Sequence, residues 1–198
     1  MVHLGDMPQN FGKILVTGNK GFIGKHFDYD GIDRETDINK ELDFTGYDLV
    51  IHLAAEIGRI HGEEEPEQML QTNILGTLNV IKACIKSGSK LINFSTSETS
   101  FPLTNVYGIS KDSAEKLVEH YSKHGLKAVS VRPFMIYGAG VKATKYKSAL
   151  DQWAYAVTHN QSYEVHRGTI RSWLHVSDLI AAIHVIIEKH DFNNYEVY

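Results

Sequence analysis

Thr17-Gly18-Asn19-Lys20-Gly21-Phe22-Ile23-Gly24 follows the apolar run Lys13-Ile14-Leu15-Val16 and spaces three glycines as G-x-x-G-x-x-G. In a strand–turn–helix unit each glycine has its own physical task. Gly18 allows the tight turn, Gly21 lets backbone approach a pyrophosphate, and Gly24 lets helix pack against strand. The anion then rests on unpaired N–H groups at the positive end of the helix. Taken alone, the stretch reads equally well as an ordinary glycine-rich loop. The segments that follow it decide between the two.

Short apolar runs alternate with helical patterns along the chain, which predicts βαβ units and a parallel sheet. Strands are expected over 13–17, 29–33, 48–53, 90–95 and 127–132, the last ended by Pro133. Met69, Leu70, Ile74, Leu78, Ile81 and Ile85 form one apolar face of a helix over 67–87 that Gly88 caps. A second helix is expected over 110–124, stopped by Gly125. Beyond Phe134 the pattern is less regular: a helix over 150–159, an extended piece over 163–167, a helix over 177–189 and a last strand over 194–198. No repeat, low-complexity tract or linker interrupts the chain. The expected organisation is one unit, with the main sheet over 12–133 and the segment 134–198 interleaved with the last core elements.

At 198 residues the chain suits one well-buried domain. A formal charge of -4, with Lys and Arg scattered rather than striped, gives no sign of nucleic-acid binding. One cysteine, Cys84, excludes an internal disulfide framework and fits a reducing compartment; its apolar helical setting reads as a buried structural thiol. The first ten residues lack the apolar core of a signal peptide, and no run is long enough to span a membrane. A cytoplasmic protein is the expectation. Of the eleven histidines only His120 and His124 share an i, i+4 helical face, with no acidic companion in a metal pattern, so no metal site is expected.

Two short motifs carry chemistry. Tyr107-Gly-Ile-Ser-Lys111 puts tyrosine and lysine on one helical face. A tyrosine near its reference value of about 10 is a poor base at neutral pH. A neighbouring lysine favours the phenolate and makes Tyr107 a usable acid/base. Ser95-Thr96-Ser97-Glu98 lies where a strand ends, the edge on which open α/β sheets place ligands. Its hydroxyls and carboxylate suit orienting a sugar hydroxyl and moving a proton. The alternatives are a solvated helix face for the first motif and a Ser/Thr-rich turn before Pro102 for the second.

In order along the chain, TGNKGFIG, HLAA (52–55), N-I-x-G-T (73–77), STSE (95–98), YGISK (107–111), RPF-x-x-YG (132–138) and RSWLHVSD (171–178) resemble the extended short-chain dehydrogenase/reductases. More narrowly they resemble the NAD-dependent epimerase/dehydratase family that acts on nucleotide sugars. The resemblance covers 13–178. It implies an α/β fold, a Rossmann-type doubly wound parallel sheet with a small, truncated C-terminal substrate lobe. It implies a catalytic set of Thr96 or Ser97, Tyr107 and Lys111, with Glu98 as the base that removes a C5 proton if the enzyme is a dehydratase. Gly18, Lys20, Gly21, Phe22, Ile23 and Gly24 would cradle the dinucleotide. Leu53, Ala54, Ala55, Asn73 and Pro133 would line its groove, and Tyr107 and Lys111 would reach the nicotinamide ribose. Arg171 matches an arginine that meets the nucleotide diphosphate, a role its bidentate fork suits. A homodimer through the helices carrying Tyr107 and Asn73 is implied as well.

The chain departs from that pattern in places. Asp33 comes only nine residues after Gly24; the intervening helix, over 22–27, has under two turns, and the usual second helix and third strand are nearly absent. Asp37-Ile38 resembles the family's adenine-contacting pair. Asp33 favours NAD by repelling a 2′-phosphate, whereas Lys20 and Arg34 would attract one, so NADP is possible. Met135 replaces an asparagine of many relatives, and Phe101 a tyrosine. The chain stops at Tyr198, where relatives continue through more of the substrate lobe, so the pocket is expected to be more open, completed by a partner subunit, or without sugar turnover. The expected function is an NAD-dependent nucleotide-sugar epimerase or dehydratase oxidising C4 transiently. An NADP-dependent sugar-nucleotide reductase and a dinucleotide-binding module without turnover are the alternatives.

Overall fold

The computed structural model describes residues 12–141, 149–165, 168 and 170–198. Five strands, β1 (Ile14–Thr17), β2 (Asp30–Ile32), β3 (Leu49–His52), β4 (Lys90–Phe94) and β5 (Ala128–Val131), form one parallel sheet in the order β2-β1-β3-β4-β5. This is the doubly wound Rossmann-type arrangement. The register places Thr17 beside both Ile32 and His52, and His52 beside Asn93. Gly18, Asp33, Leu53 and Ser95 therefore leave the sheet along one edge. Strand order reverses between β1 and β3, and open α/β sheets bind ligands at such a switch point. The segment ending at Tyr198 runs parallel to β5, with Tyr198 N–H donating to Ser130 and Arg132 N–H to Tyr198.

Near-continuous apolar strands are what a sheet covered on both faces requires. Alternation sends Ile14, Val16, Leu49, Ile51, Ile92 and Phe94 to one face, against Ile180, Ile183 and Ile187 of the helix Val176–Lys189. It sends Leu15, Val50 and Leu91 to the other, against Val80, Ile81 and Cys84 of the helix Thr77–Ser87. Each such buried side chain contributes roughly 1.5–3 kcal/mol.

The remaining elements are α1 (Arg59–Glu64), α2 (Pro66–Leu70), a π-helical turn (Gln71–Gly76), α3 (Thr77–Ser87), α4 (Val106–Ser122), β6 (Met135–Tyr137), α5 (Ala149–Thr158), β7 (Trp173–His175) and α6 (Val176–Lys189). Asn105 caps α4, accepting from Gly108 N–H at 2.8 Å, so this helix starts four residues earlier than its apolar pattern predicts. Tyr107 thereby falls in the first turn.

Three expectations need correction. The single helix over 67–87 is broken by the π-helical turn. After the glycines stands only a one-turn 3₁₀ segment, Gly24–His26. Residues 163–165 form no strand, and 166–167 lie outside the described residues. The extended pieces of the C-terminal part are instead β6 and β7, paired in parallel with Met135 beside Trp173.

Candidate active site

The glycine loop is held in shape by its own hydrogen bonds. Gly18 (φ +74°) donates to Ile32 at 2.7 Å, Gly21 to Gly18 at 3.0 Å, and Lys20 N–H to the Asp33 carboxylate at 2.9 Å. The N–H groups of Phe22, Ile23 and Gly24 donate to no acceptor among the described residues. Three consecutive free donors make an anion-binding concavity. A Cβ on Gly18 would lie 2.9 Å from Ala54 N, and one on Gly24 2.3 Å from Gly18 O. The backbone thus meets at a closeness only glycine allows, and the residues fit a dinucleotide pyrophosphate. The donors belong to the loop itself, because the expected helix and its dipole are not there.

Other expected cofactor residues divide. Asp33 and Arg34 follow β2 on the ligand-bearing edge, and Leu53, Ala54 and Ala55 follow β3. Asp37 is exposed and its carboxylate accepts from Asn39 N–H at 3.0 Å, while Ile38 is buried in the core beneath Gly76. The Ile38 side chain packs against the sheet. Asn73 is buried as well: its amide donates to Glu56 O and Ser110 Oγ, and its Oδ1 accepts from Glu56 N–H at 2.8 Å. It clamps the chain after β3 onto α4, acting on the groove through that loop.

Beneath the groove, hydrogen-bond direction fixes the tautomer of His52. Thr77 donates to Asn73 O, so it accepts from His52 Nε2–H at 3.0 Å. Ala54 N–H donates to Thr17 Oγ1, whose proton goes to His52 Nδ1 at 2.8 Å. Burial pushes this imidazole down to about 3, with the nearby Lys111 charge adding to the fall, so it stays neutral. His52 is structural, as its motif suggests.

A cleft of about 750 Å³ opens beside the sheet edge. Thr96, Ser97, Glu98, Tyr107, Pro133 and Arg171 all line it, so the structure brings the expected catalytic and substrate residues together. The Thr96 side chain faces the Tyr107 phenol and favours its ionised form. Lys111, one turn along α4, is 6% exposed, and its ammonium donates to no acceptor among the described residues. Burial pulls it down to about 8, opposed by the Glu115 carboxylate. Glu115 is itself buried and takes the Arg132 guanidinium on both oxygens.

Tyr107 behaves differently from expectation. Burial pushes its phenol up to about 12; the Thr96 side chain opposes the rise and the Glu98 charge adds to it. Lys111 is not among the groups that move it. Desolvating the phenolate outweighs a lysine that is itself desolvated.

Arg59, at the start of α1, was not legible in the sequence. Its Nε donates to Glu98 Oε1 at 3.0 Å, and Asn105 Nδ2 donates to Glu98 Oε2 at 3.1 Å. Glu63 of the same short helix accepts from Val106 N–H at 3.0 Å, docking α1 on the start of α4. Only the tertiary path after β3 brings this arginine to the cleft. Phe101, Phe134, Met135 and Ile170 add an apolar wall. Arg171 is exposed, with no carboxylate partner among the described residues.

Residues 27–198 match the NAD dependent epimerase/dehydratase family. The chain belongs to that family. Among curated relatives, Uncharacterized protein 052L of Frog virus 3 is 34% identical across 48% of this chain and 34% of its own length. The dTDP-D-glucose 4,6-dehydratase of Dictyostelium discoideum is 28% identical across 92% of this chain and 57% of its own. The chain thus spans well under two thirds of either protein. A solved UDP-glucose 4-epimerase from Thermotoga maritima, with UDP-glucose, superposes with a TM-score of 0.81 at 23% identity, covering 94% of this chain and 75% of that one. That likeness is one of fold. Among the described residues, no helix is long and apolar enough to cross a membrane, and no three His, Cys, Asp or Glu side chains gather as a metal site.

Proposed function

We propose that this chain is a nicotinamide-dependent nucleotide-sugar epimerase or dehydratase that works by transient oxidation at the sugar C4. The observation that carries the reading is the meeting of Thr96, Ser97, Glu98, Tyr107 and Arg171 on one cleft, with Lys111 buried one helical turn from Tyr107. The bound dinucleotide supplies hydride acceptance and return. The free N–H groups of Phe22, Ile23 and Gly24 would bind its pyrophosphate, and Asp33, at the end of β2, would meet the adenosine ribose.

Tyr107 takes the C4 hydroxyl proton while Thr96 or Ser97 orients that hydroxyl. A phenol near 12 holds its proton too tightly for this. A bound oxidised dinucleotide would add positive charge to the site and, with the Lys111 ammonium, would favour the phenolate. Arg171 binds the substrate diphosphate. Glu98 removes the C5 proton in the dehydratase form of the reaction, and Arg59 and Asn105 hold its carboxylate in place. Residues 134–198 furnish the outer wall of the cleft through Phe134, Met135, Ile170 and Arg171, which supports reading them as part of a substrate lobe. Exposed Leu75 and Ile109, on the Asn73 segment and α4, support a homodimer through those elements.

The test is Tyr107→Phe on a panel of nucleotide sugars followed by mass spectrometry. The parent protein is expected to yield an isobaric product (epimerase) or one that has lost water (dehydratase). The variant is expected to lose turnover and keep NAD binding. Unchanged turnover removes Tyr107 from the mechanism. No product from any sugar, with NAD still bound, favours a dinucleotide-binding module.

A further inference from the structure

The mouth between β1 and β2 is closed by more than the glycine loop. Beyond the bonds to Ile32 and Asp33, Lys20 Nζ reaches across to Glu35 Oε1 at 2.7 Å. Lys20 belongs to the loop after β1, and Glu35 lies two residues past Asp33 after β2. With the pyrophosphate on the loop and the ribose diol at Asp33, this ion pair flanks the position of the adenosine 2′ substituent. The charged groups there are Lys20, Asp33, Arg34 and Glu35, two of each sign. Both Asp33 oxygens accept backbone N–H groups, from Lys20 and Arg34, which fixes that carboxylate toward the loop.

We propose that Glu35 sets the choice of dinucleotide: by engaging Lys20 it removes the cation a 2′-phosphate needs and leaves a site that takes NAD in preference to NADP. The proposal rests on reading residues 18–24 as a dinucleotide cradle. A 2′-phosphate brings nearly two negative charges. Beside Lys20 and Arg34 alone it would find two cations, whereas beside the paired Lys20 it meets the Glu35 carboxylate as well. The Asp33 carboxylate repels a 2′-phosphate as well, and Glu35 adds to that by occupying the cation the loop brings alongside. Both members of the pair are more than half exposed, so replacing either leaves the fold intact.

Calorimetric titration of NAD and NADP into the parent protein, Glu35→Gln and the Lys20→Gln/Glu35→Gln double variant tests this without turnover. The parent is expected to bind NAD more tightly than NADP. Glu35→Gln is expected to tighten NADP about ten-fold while NAD changes by less than about two-fold, the scale of one or two exposed charge contacts. The double variant is expected to lose the gain, and added salt to shrink it. NADP affinity unchanged in Glu35→Gln, a gain that survives loss of Lys20, or a parent that already prefers NADP each overturns the proposal alone. A folded parent that binds neither dinucleotide overturns the cradle reading and this proposal with it.

Discussion

Lys111 is a buried ammonium without a hydrogen-bond acceptor among the described residues, and that arrangement costs stability. Replacing it by Met keeps the aliphatic length and removes the charge. Burial takes the lysine from its ordinary 10.5 down to about 8. With about 1.4 kcal/mol for each pH unit of that gap, the charged form costs the folded state up to about 3 kcal/mol at neutral pH. The sign follows from proton counting. Between pH 8 and 10.5 the unfolded chain holds this proton more fully than the folded one, so stability rises with pH across that window, and below 8 the whole penalty stands. Lys111→Met is therefore expected to stabilise the dinucleotide-free protein at pH 7, raising its melting temperature by roughly 6–10 °C. Glu115 keeps the Arg132 guanidinium in the variant, so no carboxylate is left unpaired. Urea unfolding of both proteins at pH 7 and pH 10 is the assay, with the advantage of the variant shrinking at the higher pH. Equal stability at pH 7 with parallel pH dependence would refute the reasoning, because the ammonium would then be satisfied in the fold.

Gly24→Ala is expected to lose dinucleotide binding and about 1–3 kcal/mol of stability, since its Cβ would sit 2.3 Å from Gly18 O; urea melts and NAD titration check both. Arg59→Gln is expected to lower kcat about ten-fold with a melting temperature nearly unchanged, because the pair it makes with Glu98 is partly exposed and contributes little to folding. Arg59→Lys restoring most of the rate would support a role for the cation, and an unchanged kcat in Arg59→Gln would remove Arg59 from the reaction.

The sheet was legible because each strand is a short apolar run bounded by turn residues, and the ends of its helices because Gly88 and Gly125 are strong stops. The π-helical turn was not, since it exists to seat Asn73 between Glu56 and Ser110, three segments that meet only in the fold. Strands β6 and β7 have three residues each and lie far apart in sequence, so neither has a periodicity to read. At the site, STSE and Y-x-x-x-K are local and were readable. Arg59 and the elevated Tyr107 phenol depend on what packs around them and were not. Ile38 was read from its motif alone; the packing of its side chain near Gly76 in the core had no local signal.

The missing helix after β1 raises a physical question, because that helix normally covers one sheet face and lends its dipole to the phosphate. Here Phe27 and Tyr29 stack at 5.9 Å, and His184 of α6 meets them edge-on at 6.1 and 6.2 Å. This aromatic trio covers the sheet beside Ile14 and Val16, so the core is sealed without a helix. The dipole is not replaced, and it acts only over the first turn in any case. What a phosphate meets directly is N–H groups, and Phe22, Ile23 and Gly24 still present three of them. Their directions are held by the bonds from Gly18, Asn19 and Lys20 to Ile32 and Asp33, and by Lys25 Nζ donating to Gly140 O at 3.2 Å. A cradle built this way depends on β2 for its shape, which would tie pyrophosphate binding to the same strand end that carries Asp33 and Glu35.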